Sequence, residues 1–129
     1  MTKINKQETS SGSIVVDFEI DSGTVFLIIK NTGDQAALNL KIKPSKPILG
    51  LEGKKDLREL AVFKEISYLA PLKEIRIFVD GYDSFFRRLK DTRISFVVSY
   101  RHEKGKSFKG KIDHDLKIYS DLIFFIKKS

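Results

Sequence analysis

The sequence predicts an all-β domain in which two antiparallel sheets pack face to face, with about seven strands and at most short helical turns. Three observations support this prediction. Apolar and polar residues alternate over several short runs, as half-buried strands require. Turn-forming residues separate these runs at intervals of roughly 8–12 residues. No long stretch repeats apolar residues at helical spacing.

The length of 129 residues is that of one domain. Residues 1–12 are polar and predict a flexible arm, so residues 13–129 form the predicted domain. The chain has no cysteine, which excludes disulfides, thiolate metal sites and a cysteine nucleophile. Its longest uninterrupted apolar runs, residues 25–29 and 122–126, are far shorter than the roughly 20 residues of a membrane helix. Without a signal-peptide pattern, a full-length chain of this kind is expected in the cytoplasm.

The first two strands are predicted at residues 14–20 and 24–30. In the first, every second residue is apolar, which places one face on the core. A three-residue hairpin loop, residues 21–23, joins the two strands, with Gly23 at the left-handed position. The second strand is apolar on both faces, which predicts a central strand covered on both sides.

The third strand is predicted from Leu38, Leu40 and Ile42, which alternate with polar residues until Pro44 ends the pattern. The middle of the chain predicts shorter elements. They are an edge strand at 48–51, a loop with one helical turn at 53–60, and strands at 63–69 and 72–79.

The last part of the chain begins with one or two helical turns at residues 82–91, capped by Asp83 or Ser84. The clearest strand, residues 92–100, follows and leads through a hairpin loop at 102–105 into a return strand at 107–112. Residues 116–126 are spaced like an amphipathic helix, although the run LIFFI also suits a strand.

Seven short strands without long helices predict an immunoglobulin-like sandwich, and a closed barrel of similar strand count has the same alternation. Residues 27–42 strengthen the sandwich prediction, since an apolar strand runs into Asn-x-Gly, then Ala, then an alternating strand. The positions concerned are Asn31, Gly33, Ala37, Leu40 and Ile42. This pattern resembles bacterial and archaeal immunoglobulin-like modules of the CARDB type.

Two later segments carry the same resemblance, namely Leu69-x-Pro71 before a charged strand and Val98-Ser99-Tyr100 before a hairpin with glycine. The resemblance implies a sandwich that binds or spaces other components and does not catalyse a reaction. Leu72 departs from it, because these modules often have glycine after the proline.

Charge is distributed unevenly along the chain, whose formal net charge is +7. Residues 1–65 hold ten basic and nine acidic residues, whereas residues 66–129 hold fourteen and eight. Two basic clusters could bind an anionic partner such as nucleic acid or an acidic surface. Their members are Arg87, Arg88, Lys90, Arg93, Arg101, Lys104, Lys106, Lys109 and Lys111. The alternative interpretation is that these charges keep strand edges and hairpins soluble. Base stacking would also need Tyr82, Tyr100 or Phe108 to be exposed.

The sequence predicts no catalytic, cofactor-binding or metal-binding residues. In Asp113-His114-Asp115 the two carboxylates share one strand face and the imidazole points the other way, which is typical of a solvated strand end. The remaining carboxylates considered for acid–base chemistry have no distinctive spacing and are expected on exposed faces. They are Glu65, Glu74, Asp80 and Asp83.

The expected function is therefore that of a non-enzymatic module for protein–protein interaction or an accessory structural role. A protein partner or self-association is expected, with binding of an anionic partner as the alternative, and no small-molecule substrate is evident. Two apolar features could serve as contacts. Tyr82 with Phe85 and Phe86 forms a contact or caps the sandwich end, and residues 122–126 dock on a partner or complete the core.

Overall fold

The structure, a computed structural model, describes residues 12–120. Nearly all of the predicted arm and the whole apolar segment 122–126 lie outside the described residues. Within them the chain forms nine strands and one α-helix. These are β1 (Ile14–Asp21), β2 (Thr24–Asn31), β3 (Ala37–Pro44), β4 (Leu49–Gly50), β5 (Lys55–Asp56), β6 (Ile66–Leu69), β7 (Glu74–Gly81), α1 (Tyr82–Arg88), β8 (Arg93–His102) and β9 (Ser107–Asp115).

Seven of these strands build two antiparallel sheets, ordered β1-β2-β7 and β6-β3-β8-β9. The two-residue strands β4 and β5 form a separate small hairpin, which is attached to β7 by a bond from the Leu51 N–H to the Val79 carbonyl (2.9 Å). The chain changes sheets between β2 and β3, between β6 and β7, and between β7 and β8. This arrangement confirms the predicted immunoglobulin-like two-sheet sandwich.

The core lies between the sheets and consists of the alternate apolar residues that the sequence pattern identifies. Ile14, Val16 and Phe18 of β1 are buried, as are Ile94, Phe96, Val98 and Tyr100 of β8. The Phe18 and Phe96 rings meet across the two sheets at 6.1 Å between centroids. Because burial of apolar surface is the dominant stabilising term, these contacts hold the sheets together.

The turn between β1 and β2 has two residues, so the predicted three-residue loop is wrong. Asp21 pairs with Thr24 as the last rung of the ladder. Ser22 and Gly23 both have positive φ, at 51° and 78°, as the tight hairpin turn that matches strand twist requires.

The outer side of β2 also differs from the prediction. The strand is central, but residues 12–120 form no further layer over its outer face. The Phe26 ring there is covered by the Arg76 guanidinium, 4.0 Å from the ring centroid, and its neighbour Phe78 is 49% exposed. Side chains of the same sheet therefore provide the cover.

Strand β3 contains a bulge that the alternation does not reveal. Asn39 has a φ of 52°, and the register with β8 shifts between Leu38 and Lys41. Ala37 and Leu40 are fully buried, whereas Leu38 is half-buried on the other side of the bulge. The prediction that Leu38 shares a face with Leu40 is therefore wrong, because the extra residue reverses the side-chain direction.

The predicted strand at 63–69 is shorter, since a 3-10 helix (Ala61–Phe63) buries Phe63 before β6 begins. A tight turn follows β6, with the Lys73 N–H bonded to the Ala70 carbonyl at 3.1 Å. In this turn Leu72 has a φ of 64° and is 68% exposed. A leucine thus occupies the left-handed position at which the resemblance leads one to expect glycine.

Helix α1 begins after Gly81, with no side-chain cap, so the expected capping by Asp83 or Ser84 is wrong. At the end of the described chain, Leu116–Tyr119 forms a 3-10 helix that Asp115 caps through the Lys117 N–H. None of the helices in residues 12–120 has the length and apolar character needed to cross a membrane.

Candidate binding surface

The outer face of the four-stranded sheet carries two rows of lysines. Lys41 on β3 pairs with Ser99 on β8, which pairs with Lys109 on β9. Two residues further along the strands, Lys43 and Lys111 lie on either side of Val97 in the same way. Alternation dictates this arrangement, because the residues between these positions on β3 and β8 are buried in the core.

We call Lys41, Lys43, Lys109 and Lys111 the lysine grid. All four are exposed. With strands about 4.8 Å apart, the two lysines of one row have Cα atoms about 10 Å apart, and the rows are about 7 Å apart along the strands. Lys111 lies 3.7 Å from an Asp113 carboxylate oxygen, whereas the other three form no ion pair with any residue of the described chain. The grid is thus a compact and largely uncompensated positive patch.

Arg101 extends this positive surface towards the β8–β9 turn. Its guanidinium donates to the Asn39 side-chain oxygen at 3.2 Å, and the Asn39 amide donates to Glu65 at 2.8 Å. The bulge at Asn39 therefore positions both a cation and a carboxylate beside a shallow depression that Lys41 and Lys109 also line.

The nine basic residues of the two predicted clusters divide into separate groups. Arg101, Lys109 and Lys111 lie on the face just described, and Arg93 lies at its far end, 3.7 Å from Asp91. Lys104 and Lys106 are exposed in the turn between β8 and β9. Arg87, Arg88 and Lys90 are on or just after α1, away from the sheet face.

Arg88 is engaged inside the protein, so its assignment to a free anionic-partner surface is wrong. It forms an ion pair with Asp80, whose side chain is only 5% exposed. The expectation that Asp80 lies on an exposed face is wrong for the same reason. Burial alone would raise the pKa of Asp80, but hydrogen bonds from Ser84, from backbone N–H groups and from Arg88 hold it below its ordinary value.

The aromatic residues proposed for base stacking are not free on this surface. Tyr100 is 4% exposed, stacks on Phe108 at 5.5 Å and accepts a bond from the Ser13 N–H at 2.9 Å. Tyr82 packs on Phe86 at 4.7 Å and donates to the Tyr119 carbonyl at 2.6 Å. These rings are therefore structural.

The acidic segment around His114 has the predicted alternation but not the predicted environment. Asp113 and Asp115 face outward and accept bonds from Ser95 and Thr92, both at 2.7 Å. His114 is not solvated, because its Nε2 lies 2.8 Å from the Val16 carbonyl and its ring packs edge-on against Phe96 at 5.9 Å. Across residues 12–120, no three His, Asp or Glu side chains are grouped as metal ligands.

The opposite face of the sandwich is acidic. Asp17, Glu19 and Asp21 point outward from β1. Arg76 on β7 lies 3.6 Å from Glu19 and 3.3 Å from Asp21 and so compensates part of this charge. The two outer faces of the protein thus carry opposite charge.

Sequence reasoning missed Lys41 and Lys43 as site residues. The alternation of these lysines with core residues indicates that both lie on the polar face of β3, and this pattern could have identified them. Their position beside Lys109 and Lys111 depends on both strands pairing with β8.

The chain matches one family model, described as a domain of unknown function (DUF8453), over residues 1–120. No curated protein matches it.

Proposed function

We propose that this chain, which belongs to the DUF8453 family, is a non-enzymatic interaction module that binds an acidic protein surface through the lysine grid. The observation that carries the proposal is the convergence of four exposed lysines from β3 and β9 on one flat sheet face. Like charges 10 Å apart repel by about 0.4 kcal/mol per pair in water. Carboxylates of a partner would relieve this repulsion and add attraction.

The composition of the face favours a protein partner over a nucleic acid. Val97, which is 36% exposed, lies at its centre between Lys43 and Lys111, and Tyr68 on β6 is 57% exposed. An apolar centre with a polar rim is typical of protein interfaces.

The experiment compares two charge-reversed proteins of equal net charge. Lys41→Glu with Lys109→Glu removes one row of the grid. Lys54→Glu with Lys73→Glu changes two exposed lysines in turns beside the other sheet. The probe is an immobilised peptide of ten glutamates at low and moderate salt.

We expect at least a tenfold loss of affinity for the first variant and less than a twofold change for the control. The two variants have the same net charge, so the difference between them reports whether the peptide binds beside the lysine grid. Equal affinities of the two variants would contradict the proposal. Tighter binding of duplex DNA than of the acidic peptide by the wild type would favour the nucleic-acid alternative.

A second copy of the chain is a further candidate partner, favoured by the acidic outer face of the three-stranded sheet. There Asp17 and Glu19 on β1 lie on one side of an apolar area in which Phe78 on β7 is 49% exposed. Pairing of this face with the lysine grid would be heterologous, so it would extend beyond a dimer. Sedimentation velocity at rising protein concentration tests this. Growth in mass that salt reverses supports it, and a constant monomer mass contradicts it.

A further inference from the structure

A groove opens at the end of the sandwich where α1 covers the gap between the sheets. Its volume is about 390 Å³, within the range of about 300–1,000 Å³ typical of small-molecule sites. Its lining is mainly apolar and comes from both sheets, from α1 and from the segment before β4. The main contributors are Phe18, Ile48, Phe85, Leu89, Ile94 and Leu116. This site is separate from the lysine grid and independent of the function proposed above.

The depth of the groove is formed by core residues. Phe85, Ile94 and Leu116 are 3–5% exposed, yet all three contribute to the groove wall. Leu49 stands at the mouth and is 42% exposed. Transfer of an alkyl chain from water onto this apolar lining would be favourable, because it removes apolar surface from water.

Cations surround the apolar lining. Lys46, Arg88 and Lys90 line the groove, with Asp91 as its one carboxylate. Lys46 donates to the Asp91 backbone carbonyl at 2.5 Å. Lys90 is exposed and forms no hydrogen bond or ion pair with the part of the chain that the structure describes. It is therefore free to bind an anion.

Arg88 is a second cation at this border, but it is already paired. Its guanidinium forms an ion pair with Asp80 and reaches the Leu49 carbonyl at 3.5 Å. Lys90 is therefore the border cation that is available to an anionic group in the groove.

We infer that this groove binds a small amphipathic carboxylate, with its alkyl chain in the apolar lining and its carboxylate beside Lys90. The combination of an apolar depth and a cationic border selects this class over neutral alkanes, which leave the cations unpaired, and over alkyl cations, which they repel. The apolar residues 122–126 of the chain itself are the competing occupant.

The test is a titration of the full-length protein with decanoate, decanol and decyltrimethylammonium, followed by amide chemical shifts and calorimetry. We expect decanoate to bind at least tenfold more tightly than decanol, and the ammonium compound not to bind. The shifts should concentrate on α1, Ile48 and Ile94. Absence of decanoate binding would overturn the inference.

Two variants locate the binding to this site. Lys90→Gln should lower decanoate affinity about three- to tenfold and leave decanol affinity unchanged, whereas Lys54→Gln should change neither. Leu49→Trp adds bulk at the exposed mouth and should abolish binding of both ligands, with unchanged thermal unfolding showing that the fold is intact. A decanoate-to-decanol ratio that Lys90→Gln leaves unchanged would refute the assigned role of the cationic border.

Discussion

Replacing Asn31 by aspartate should destabilise the sandwich far more than its small chemical change implies. Asn31 ends β2 and is fully buried. Its side-chain oxygen accepts bonds from Ser13 Oγ at 3.0 Å and from the Gly33 N–H at 2.9 Å. Its amide nitrogen donates to the Gln35 carbonyl at 2.8 Å and to the Leu69 carbonyl at 3.1 Å. The last bond ties the three-stranded sheet to β6 of the other sheet.

The magnitude follows from these contacts. Aspartate places an oxygen where the amide donated, so the buried Leu69 carbonyl and the part-buried Gln35 carbonyl lose their donor. Each unsatisfied buried group costs about 1–3 kcal/mol, which gives about 2–6 kcal/mol for the pair at neutral pH. Burial and the facing carbonyls raise the pKa of the introduced carboxyl. Its protonated form can donate one bond, so part of the loss should be recovered as the pH falls through that raised pKa.

The assay is urea unfolding of wild type and Asn31→Asp at pH 7 and pH 4.5, with Asn39→Asp as the control. Asn39 is exposed and already left-handed, which aspartate tolerates. Its replacement removes the bond to Glu65, but that bond is solvent-exposed and the new charge faces Arg101, so the cost should be less than about 1 kcal/mol. If Asn31→Asp unfolds within about 0.5 kcal/mol of wild type at pH 7, the four-bond network around Asn31 is refuted.

Three further predictions concern stability and are measured by urea unfolding. Phe96→Ala should cost about 3–5 kcal/mol, because it removes a fully buried ring between the sheets, and a cost below about 1 kcal/mol would contradict its placement. Leu72→Gly should stabilise by up to about 1 kcal/mol, since the left-handed strain of about 1–2 kcal/mol exceeds the added flexibility of the unfolded chain, whereas Leu72→Ala should give no gain. The pKa of Asp80 is lowered in the folded state, so its contribution to stability is present above its ordinary value of 3.8 and is lost as the pH falls through the folded pKa. Asp80→Asn should therefore flatten the acid limb of the stability profile, and an unchanged slope would count against the Asp80–Arg88 pair.

Alternation predicts the main strands of this fold because each has one buried face. In β8 the inward residues from Ile94 to Tyr100 are buried as expected. The predictions are wrong at places where one added or missing residue changes the side-chain direction or the length of a turn. Asn39 adds a bulge that reverses Leu38, and the β1–β2 turn uses two residues with positive φ instead of three. Such backbone conformations depend on twist and pairing, which a local pattern does not encode.

The sequence predicts only two of the four lysines that form the lysine grid. Lys109 and Lys111 were identified from local charge density, but Lys41 and Lys43 lie more than sixty residues earlier, and only the pairing of both strands with β8 brings them together. Conversely, Arg88 belongs to a local basic cluster, but it forms an ion pair with Asp80, which lies near the end of β7 just before α1. Charge counts along a chain cannot distinguish a free cation from one that is internally paired.

The most direct test of the interaction surface is an NMR titration of the isotope-labelled wild-type protein with the ten-glutamate peptide. If the lysine grid binds acidic protein surfaces, we expect chemical-shift changes confined to the grid and to Val97 and Ser99, which lie between the lysines of each row. The amplitudes of these changes should fall as salt is added. Shifts centred on α1 or on the turn holding Lys104 and Lys106, with the grid unaffected, would contradict it.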